Sequence, residues 1–135
     1  MNSDLVVAVH ALVLLHHRKE LLSSQVIAQN ACTNPARVRR VMLTLKNAGL
    51  VEAHRGQAGG GYSLQNGEEL TLGQVAKAFG GGLVSIKWHS GDPKSPCGVC
   101  SGMGEYMDGI FSHLNNLCLC YLDGITVAQP KGPFL

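Results

Sequence analysis

The chain has 135 residues, a formal net charge of +2 and five cysteines. This length suits one compact domain with an appended element, and the abundance of aliphatic residues excludes an intrinsically disordered chain. No apolar run reaches the ~18 residues of a membrane span and no signal-peptide pattern is visible, so we expect a soluble, cytoplasmic protein without a membrane partner.

The charge is distributed unevenly along the chain. Residues 1–66 contain seven Lys/Arg and three Asp/Glu, a net +4, whereas residues 67–135 contain four and six, a net −2. A basic half is typical of a surface that faces nucleic acid, although ordinary solvated charge would give the same count. An odd number of cysteines without a secretion signal does not indicate structural disulfides, which leaves metal binding or thiol chemistry to consider.

Three helices are predicted in the first 50 residues. Residues 5–17 are apolar nearly all round, which indicates a buried helix. Ser23 or Ser24 is suited to cap a short second helix. Asn34 is suited to cap the third, and Gly49 suits the left-handed residue that ends it.

The third helix is predicted to be amphipathic. Its apolar residues recur at spacings of three and four and predict a buried face, formed by Val38, Val41, Met42 and Leu45. The opposite face carries Arg37, Arg40 and Thr44, with Arg39 and Lys46 on its flank. We therefore expect the apolar face to dock the helix while the arginines are presented outward.

A β-hairpin is predicted after this helix. Apolar and polar residues alternate on either side of a glycine-rich turn in LVEAHRGQAGGGYSL, and the tip carries Arg55 and Gln57. Glycines at such a tip allow positive backbone angles or a close approach to another molecule. The stretch TLGQVAKAF is then predicted to be a helix capped by Thr71.

The rest of the chain divides into a cysteine-containing loop over residues 80–100, a long helix over 101–128 and a flexible tail over 129–135. Twenty helical residues span ~30 Å, and a helix of this length after a small domain has little in its own chain to cover its apolar stripe. We expect the stripe to pair with a second copy, the alternative being packing on the first helix of the same chain. The predicted dimer interface comprises Met107, Ile110, Phe111, Leu114, Leu117, Cys118 and Tyr121.

Two short helices, the second of them basic on its outer face, followed by a hairpin with a glycine-rich tip describe a winged helix-turn-helix. The predicted fold is therefore mainly α with a small β-hairpin, with residues 1–79 as the DNA-binding domain and a long C-terminal dimerisation helix. A helix fits the major groove of double-stranded DNA, where arginine reads guanine through paired hydrogen bonds. Helix N-termini at Ser24 and Asn34 can hold phosphates, and Arg55 can enter the minor groove.

The sequence also resembles the Rrf-two (BadM-like) family of bacterial transcription regulators. The resemblance covers most of the chain and rests on PARVRRVMLTLKNAGLV followed by RGQAGGGYSL. It implies a homodimer with two winged domains that binds operators, often as a repressor. By matched position it implies that the groove-facing residues are Asn34, Ala36, Arg37, Arg39, Arg40 and Arg55.

Cys97 and Cys100 form a C-x-x-C pair just before the long helix, and several roles are open for them. Sensor members of the family use cysteines in this region, and those that hold an iron–sulfur cluster use three at wider spacing. Here only two occur, close together, and the next cysteine is Cys118. A helix that runs from Cys100 to Cys118 separates them by ~27 Å, which argues against a cluster within one chain. Thiol redox chemistry favoured by the helix dipole, zinc bound with His89 or a partner-chain ligand, and an inert pair remain alternatives. No cofactor is favoured and the metal stays unknown.

The prediction for function is a homodimeric, sequence-specific DNA-binding regulator, a repressor that responds to redox or electrophile stress through the loop cysteines. An iron–sulfur-sensing regulator of the same family is the alternative. A thiol-active enzyme would need a base and an oxyanion site beside the nucleophile, and no such motif is visible. A winged domain that binds a protein partner is a further alternative. We therefore do not expect an enzyme.

Overall fold

The computed structural model describes residues 3–56 and 60–129 of the chain. Within these two ranges, five helices and one antiparallel hairpin follow each other in the predicted order. They are α1 (Ser3–Arg18), α2 (Ser24–Ala31), α3 (Pro35–Asn47), β1 (Val51–His54), β2 (Gly61–Leu64), α4 (Leu72–Ala78) and α5 (Gly98–Asp123). This is the predicted winged helix-turn-helix with a long C-terminal helix. Among the described residues, no helix has the length and hydropathy needed to cross a bilayer.

The core is built around α1, whose apolar residues contact α2, α3 and α4. Burial of aliphatic side chains supplies the main driving force for this packing. The largest fully buried side chains come from four of the five helices and the C-terminal segment: Leu12, Ile27, Val38, Val41, Met42, Leu45, Val75 and Val127. The four apolar residues predicted to dock the third helix are all among them.

The predicted helix ends are confirmed by their hydrogen bonds. The Ser23 hydroxyl accepts from the backbone N–H of Val26 at 3.2 Å, so Ser23 is the cap and Ser24 the first residue of α2. The Asn34 side chain accepts from the backbone N–H of Arg37 at 2.8 Å. Gly49 has a φ of 77°, and its N–H donates to the Lys46 carbonyl at 2.9 Å. A side chain at this backbone angle would be strained, which is why glycine ends the turn.

The hairpin is attached to the segment between α1 and α2. Ala53 pairs with Tyr62 and Val51 with Leu64 across the two strands. Tyr62 also exchanges backbone hydrogen bonds with Leu22, at 2.8 and 3.2 Å, which extends the small sheet by one bridge. The orientation of the wing is thereby tied to the start of α2.

The long helix begins at Gly98 rather than at 101, and ends at Asp123 rather than at 128. Gly124 ends it, and the chain then returns to the body. The backbone N–H of Leu72 donates to Ile125 at 2.8 Å, and that of Val127 donates to Leu70 at 2.8 Å. Val127 is fully buried. The prediction that residues 124–128 continue the dimerisation helix was wrong, because their alternating apolar side chains fill the core beside α4. Of the predicted tail, only residue 129 lies within the described residues.

Residues 81–92 run antiparallel along α5, and we call this segment the strap. It contacts α5 near Asn115 at one end and near Cys100 at the other end. In the middle, His89 Nε2 lies 2.7 Å from Asp108 Oδ1, within hydrogen-bond distance. The helix α5 itself packs against α4 rather than against α1 as in the alternative arrangement. The strap therefore covers one face of α5 from within the same chain.

Candidate nucleic-acid interface

The outer surface of α3 presents a continuous arc of side chains. At ~100° of rotation per residue, the arc runs from one edge to the other through Lys46, Arg39, Leu43, Ala36, Arg40 and Arg37. All of these residues are exposed except Arg37, which is half-buried. Leu43 has 55% of its surface exposed and lies near the middle of the arc. The sequence analysis did not include Leu43 in the site, because an apolar residue off the buried face carries no pattern of its own.

One edge of this arc borders a basic groove. The groove is a cleft of about 460 Å³ between the start of α2, α3 and the base of the hairpin. Its lining includes a hydroxyl and three basic side chains: Ser24, Arg39, Lys46 and Arg55. The fold thus brings together predicted residues that lie more than 30 positions apart in the sequence. His54 also lines the groove and was missed, since a histidine in a strand gives no separate signal.

The hairpin contributes Arg55 to this groove, whereas the predicted contact Gln57 lies outside the described residues. Gly61 allows the hairpin to approach the body closely. A Cβ atom at Gly61 would lie 2.7 Å from the Leu22 carbonyl oxygen, which is closer than such atoms come in proteins. The glycine is therefore a requirement of the wing's attachment.

The opposite edge of the arc is tied to the first turn of α1. Arg37 Nε donates to Asp4 Oδ1 at 3.0 Å, and an Arg40 Nη donates to both Asp4 oxygens at 3.1 and 3.2 Å. Arg37 also donates to the Ser3 hydroxyl. The Arg40 guanidinium, and then that of Arg37, lower the pKa of the Asp4 carboxyl and outweigh its partial desolvation. The sequence analysis missed Asp4, because a first-turn acid is ordinary in any helix and its partners lie more than 30 residues away.

Asn34 and Ala36 take different positions at the start of α3. The Asn34 amide oxygen is used as the helix cap, so its remaining groups face outward at an exposed position. Ala36 is exposed in the middle of the arc. The N–H groups at a helix start have no intrahelical partner; in α3, Pro35 has no N–H and the cap satisfies that of Arg37.

The cysteines of the C-x-x-C pair have different surroundings. Cys97 is exposed and occupies the N-cap position of α5, where the backbone N–H groups of Cys100 and then Val99 lower the pKa of its thiol. Although the thiol makes no full capping hydrogen bond, the helix N-terminus stabilises its thiolate. Cys100 is half-buried, and the backbone N–H of Asp92 lies 3.3 Å from its sulfur. All five cysteines are free thiols.

The donors present do not fit an iron–sulfur cluster held by one chain. Cys100 and Cys118 both belong to α5, whose ~1.5 Å rise per residue separates them by ~27 Å. Cys97 and Cys100 then supply only two thiolates, where clusters of this kind take four ligands. Within the described ranges, no three His, Cys, Asp or Glu side chains come together as a potential metal site, His89 included.

The predicted dimer interface combines two different faces of α5. Met107, Phe111 and Cys118 are half-buried on faces that the same chain already covers; Met107 and Phe111 lie opposite Ile86 and Trp88 of the strap. Ile110, Leu114, Leu117 and Tyr121 are exposed. The exposed face also includes Val99 and Tyr106, which the sequence analysis did not assign. We call these six residues the exposed stripe: Val99, Tyr106, Ile110, Leu114, Leu117 and Tyr121.

Comparison with known proteins gives matches over nearly the whole chain. The family model described as "Rrf2: Iron-dependent Transcriptional regulator" matches residues 1–129. The chain is 32% identical over 119 residues to YwnA of Bacillus subtilis (strain 168), whose name assigns it to the HTH-type transcriptional regulators; the match covers 86% of this chain and 88% of that protein.

Solved structures show the same fold. The structure of CymR (YrzC), the global cysteine regulator of B. subtilis, has a TM-score of 0.67 at 18% identity, covering 94% of this chain and 92% of that one. IscR of T. potens has a TM-score of 0.66 at 20% identity, covering 95% and 82%.

Proposed function

The chain belongs to the Rrf2 family of DNA-binding transcriptional regulators, and on that premise we propose that it is a homodimeric repressor that reads its operator with the exposed arc of α3 and the hairpin. The observation that carries the proposal is the joining of Arg39, Lys46 and Arg55 in one groove beside the arc. The family assignment favours a regulator over the thiol-active enzyme and the protein-binding module considered above.

The proposed binding mode places α3 in the major groove of double-stranded DNA. The N-terminal half of a recognition helix faces the base edges, and that half of α3 carries Arg37, Arg39 and Arg40. Ala36 and Leu43 lie between them and would contact thymine methyl groups. Asn34 at the cap and the start of α2 at Ser24 would hold phosphates through side-chain and backbone donors.

The hairpin supplies the second contact. Arg55 follows β1 directly and lies on the same side of the molecule as Arg39. An arginine in this position suits the minor groove next to the major-groove segment that α3 occupies, because a narrow minor groove has an enhanced negative potential.

A homodimer would present two copies of this DNA-binding surface, each formed by α3 and the hairpin. The exposed stripe of α5 is apolar along much of the helix, and its residues repeat at spacings of three, four and seven. Such spacing suits a pair of helices packed side by side. Two winged domains related by a two-fold axis would read half-sites about one helical turn apart, ~34–36 Å between centres.

The signal we propose is modification of the loop thiols. A thiol with a lowered pKa is present as thiolate at a larger fraction near neutral pH, and Cys97 is exposed to reagents. Addition of the Cys97 thiolate to an electrophile such as a quinone would place a bulky group at the start of α5. Oxidation of Cys97 and Cys100 by a peroxide would form a disulfide, with the peroxide reduced to water or an alcohol, and would change the Cys100 sulfur beside the strap's Asp92. Repression would respond only if the two states of the dimer differ in DNA affinity.

The test of the proposal is binding to the DNA upstream of the protein's own gene. Arg39→Ala and Arg40→Ala are compared with wild type by fluorescence anisotropy at matched salt, with Arg18→Ala as the control that removes the same charge from the far end of α1. Loss of a bidentate base contact costs about 1–3 kcal/mol, so each arc variant should weaken operator binding about 5- to 150-fold while the control stays near wild type. Wild-type affinity in both arc variants would contradict this binding mode.

A further inference from the structure

We infer that Asp4 is a specificity-determining residue of the DNA interface, which positions Arg37 and Arg40 for base contact and suppresses sequence-independent binding. The inference rests on the proposed function and concerns the same surface. Asp4 itself lies in the first turn of α1, outside the helix-turn-helix that would contact DNA.

The geometry joins one carboxylate to two arginines of the recognition helix. Both carboxylate oxygens of Asp4 accept from Arg40, and one of them also accepts from Arg37 Nε. The Ser3 hydroxyl accepts a further hydrogen bond from Arg37. Because Arg37 and Arg40 are one turn apart, a single residue of α1 fixes the orientation of both guanidinium groups.

The contacts leave DNA-binding capacity in both arginines. A guanidinium has five N–H donors in a planar fork. Asp4 takes Arg37 Nε and one terminal nitrogen of Arg40, and the Ser3 hydroxyl takes one terminal nitrogen of Arg37. At least one terminal nitrogen of each arginine is left for a guanine edge, and the Arg40 side chain keeps 65% of its surface exposed. An arginine held along one edge by a carboxylate has fewer conformations to lose when it meets a base.

The negative charge of Asp4 has a second effect, on the affinity for DNA of any sequence. Non-specific affinity comes from cations that neutralise phosphates and release counterions. Asp4 pairs with Arg37 and Arg40, two of the three arginines in the arc. The two arginines alone would carry a charge of +2, and together with Asp4 they carry +1. Asp4 should therefore lower the affinity for random DNA, and its orientation of the arginines should preserve affinity for the operator.

A purely structural role would give a different result. Asp4 also sits at the positive end of the α1 dipole and links α1 to α3, so its removal should lower stability to some degree. Loss of stability alone reduces the active fraction equally for every DNA sequence. The ratio of operator affinity to random-sequence affinity is the readout that separates positioning from stability.

The experiment compares Asp4→Asn with wild type on an operator duplex and on a scrambled duplex of equal length and composition, over a salt series. The control is Asp108→Asn, which removes a carboxylate of α5 that contacts His89 and lies away from the arginines of α3. We expect Asp4→Asn to bind the scrambled duplex more tightly, with a salt slope steeper by about one phosphate contact. The operator-to-scrambled ratio should fall roughly tenfold, the size of a loosened base contact, and the control should leave it unchanged.

Several results would overturn the inference. An equal gain in affinity for both duplexes leaves the operator-to-scrambled ratio unchanged and would mean that Asp4 acts only through charge. The same fall in ratio in a background that carries Arg37→Ala and Arg40→Ala would mean that it does not act through these arginines. If Asp4→Asn does not fold, Asp4→Glu keeps the charge and alters the geometry; it should lower the ratio without changing the salt slope, and a wild-type ratio would refute the positioning role.

The inference and the proposed function fail in different ways. A wild-type chain that does not prefer the operator over the scrambled duplex would overturn the proposed function, and with it this inference, before any variant is compared. Operator preference in wild type with an unaffected Asp4→Asn ratio would overturn only the role of Asp4.

Discussion

The carboxamide of Asn115 on α5 accepts a hydrogen bond of 2.8 Å from the backbone N–H of Leu83 on the strap. The same oxygen accepts from Val84 at 3.0 Å, and the amide nitrogen donates to the Gly81 carbonyl at 2.8 Å. One side chain thus satisfies three backbone groups of a segment that has no helix or strand partner of its own. The connection between α4 and α5 is fixed at this point.

Replacing Asn115 with alanine should therefore lower the free energy of unfolding. The Val84 N–H would lose its Asn115 partner, and the Leu83 N–H and the Gly81 carbonyl would keep only their mutual hydrogen bond of 3.1 Å. Leaving a partly buried backbone group unsatisfied costs about 1–3 kcal/mol. Urea denaturation followed by circular dichroism measures the change. The neighbouring substitution Asn116→Ala, at an exposed position, controls for the loss of an asparagine from the helix. Equal midpoints for the two variants would show that the strap does not depend on Asn115.

Gly61→Ala should loosen the hairpin from the body. The added methyl group would overlap the Leu22 backbone, whose carbonyl oxygen lies 2.7 Å and carbonyl carbon 2.8 Å from the Cβ position. Backbone atoms cannot swing aside as a flexible side chain does, so we expect a loss of about 1–3 kcal/mol in unfolding free energy. Gly56→Ala has nothing within 4 Å of its Cβ position and is the matched control in thermal unfolding. A tolerated Gly61→Ala would mean that the wing is not held against Leu22.

Much of the helix-turn-helix could be predicted because its signals are local. The caps at Asn34 and Thr71 and the glycine at the end of α3 determine their helix ends through contacts within four residues. The apolar spacing of α3 fixed its buried face, and this decided by exclusion which arginines point outward.

The failures concern contacts between distant segments. The Asp4 pairs and the basic groove arise only when α1, α2, α3 and the hairpin have packed together. The predicted helix included the segment after Gly124, whose extended course depends on hydrogen bonds with the distant backbone groups of Leu70 and Leu72. The apolar residues of α5 lie on two faces of the helix. Periodicity alone does not show which of these two faces the strap covers.

The alkylation rate of Cys97 should depend on pH with a midpoint below that of a cysteine in a short unstructured peptide. The backbone N–H groups of Cys100 and Val99 favour the thiolate, so the pKa is lowered and the reactive form is populated at lower pH. The rate should rise as pH increases through this lowered pKa and then level off. Iodoacetamide labelling followed by mass spectrometry gives the profile for each cysteine separately.

A substitution at Val99 tests the cause of that shift. Val99→Pro removes one of the two donors while leaving a residue that the first turn of a helix tolerates, and Val99→Ala keeps the donor as the matched control. The midpoint of the Cys97 profile should move to higher pH in the proline variant only. Identical profiles in the two variants would assign the lowered pKa to another source.

Charges placed on the exposed stripe of α5 should separate the proposed dimer into single chains. Ile110 and Leu117 lie two turns apart on this face and are 37% and 55% exposed. In a paired helix they would be covered, and Ile110→Glu with Leu117→Glu would place like charges from both copies in an apolar contact, where unpaired charge is expensive. The control, Ser112→Glu with Asn116→Glu, adds the same charge outside the stripe.

Light scattering coupled to size exclusion should give twice 14.3 kDa for wild type and control, and 14.3 kDa for the stripe variant. The stripe variant should also lose most of its operator affinity, since one winged domain reads one half-site. An unchanged mass for the stripe variant would place the dimer contact elsewhere, and a wild type of 14.3 kDa would remove the dimer from the proposal.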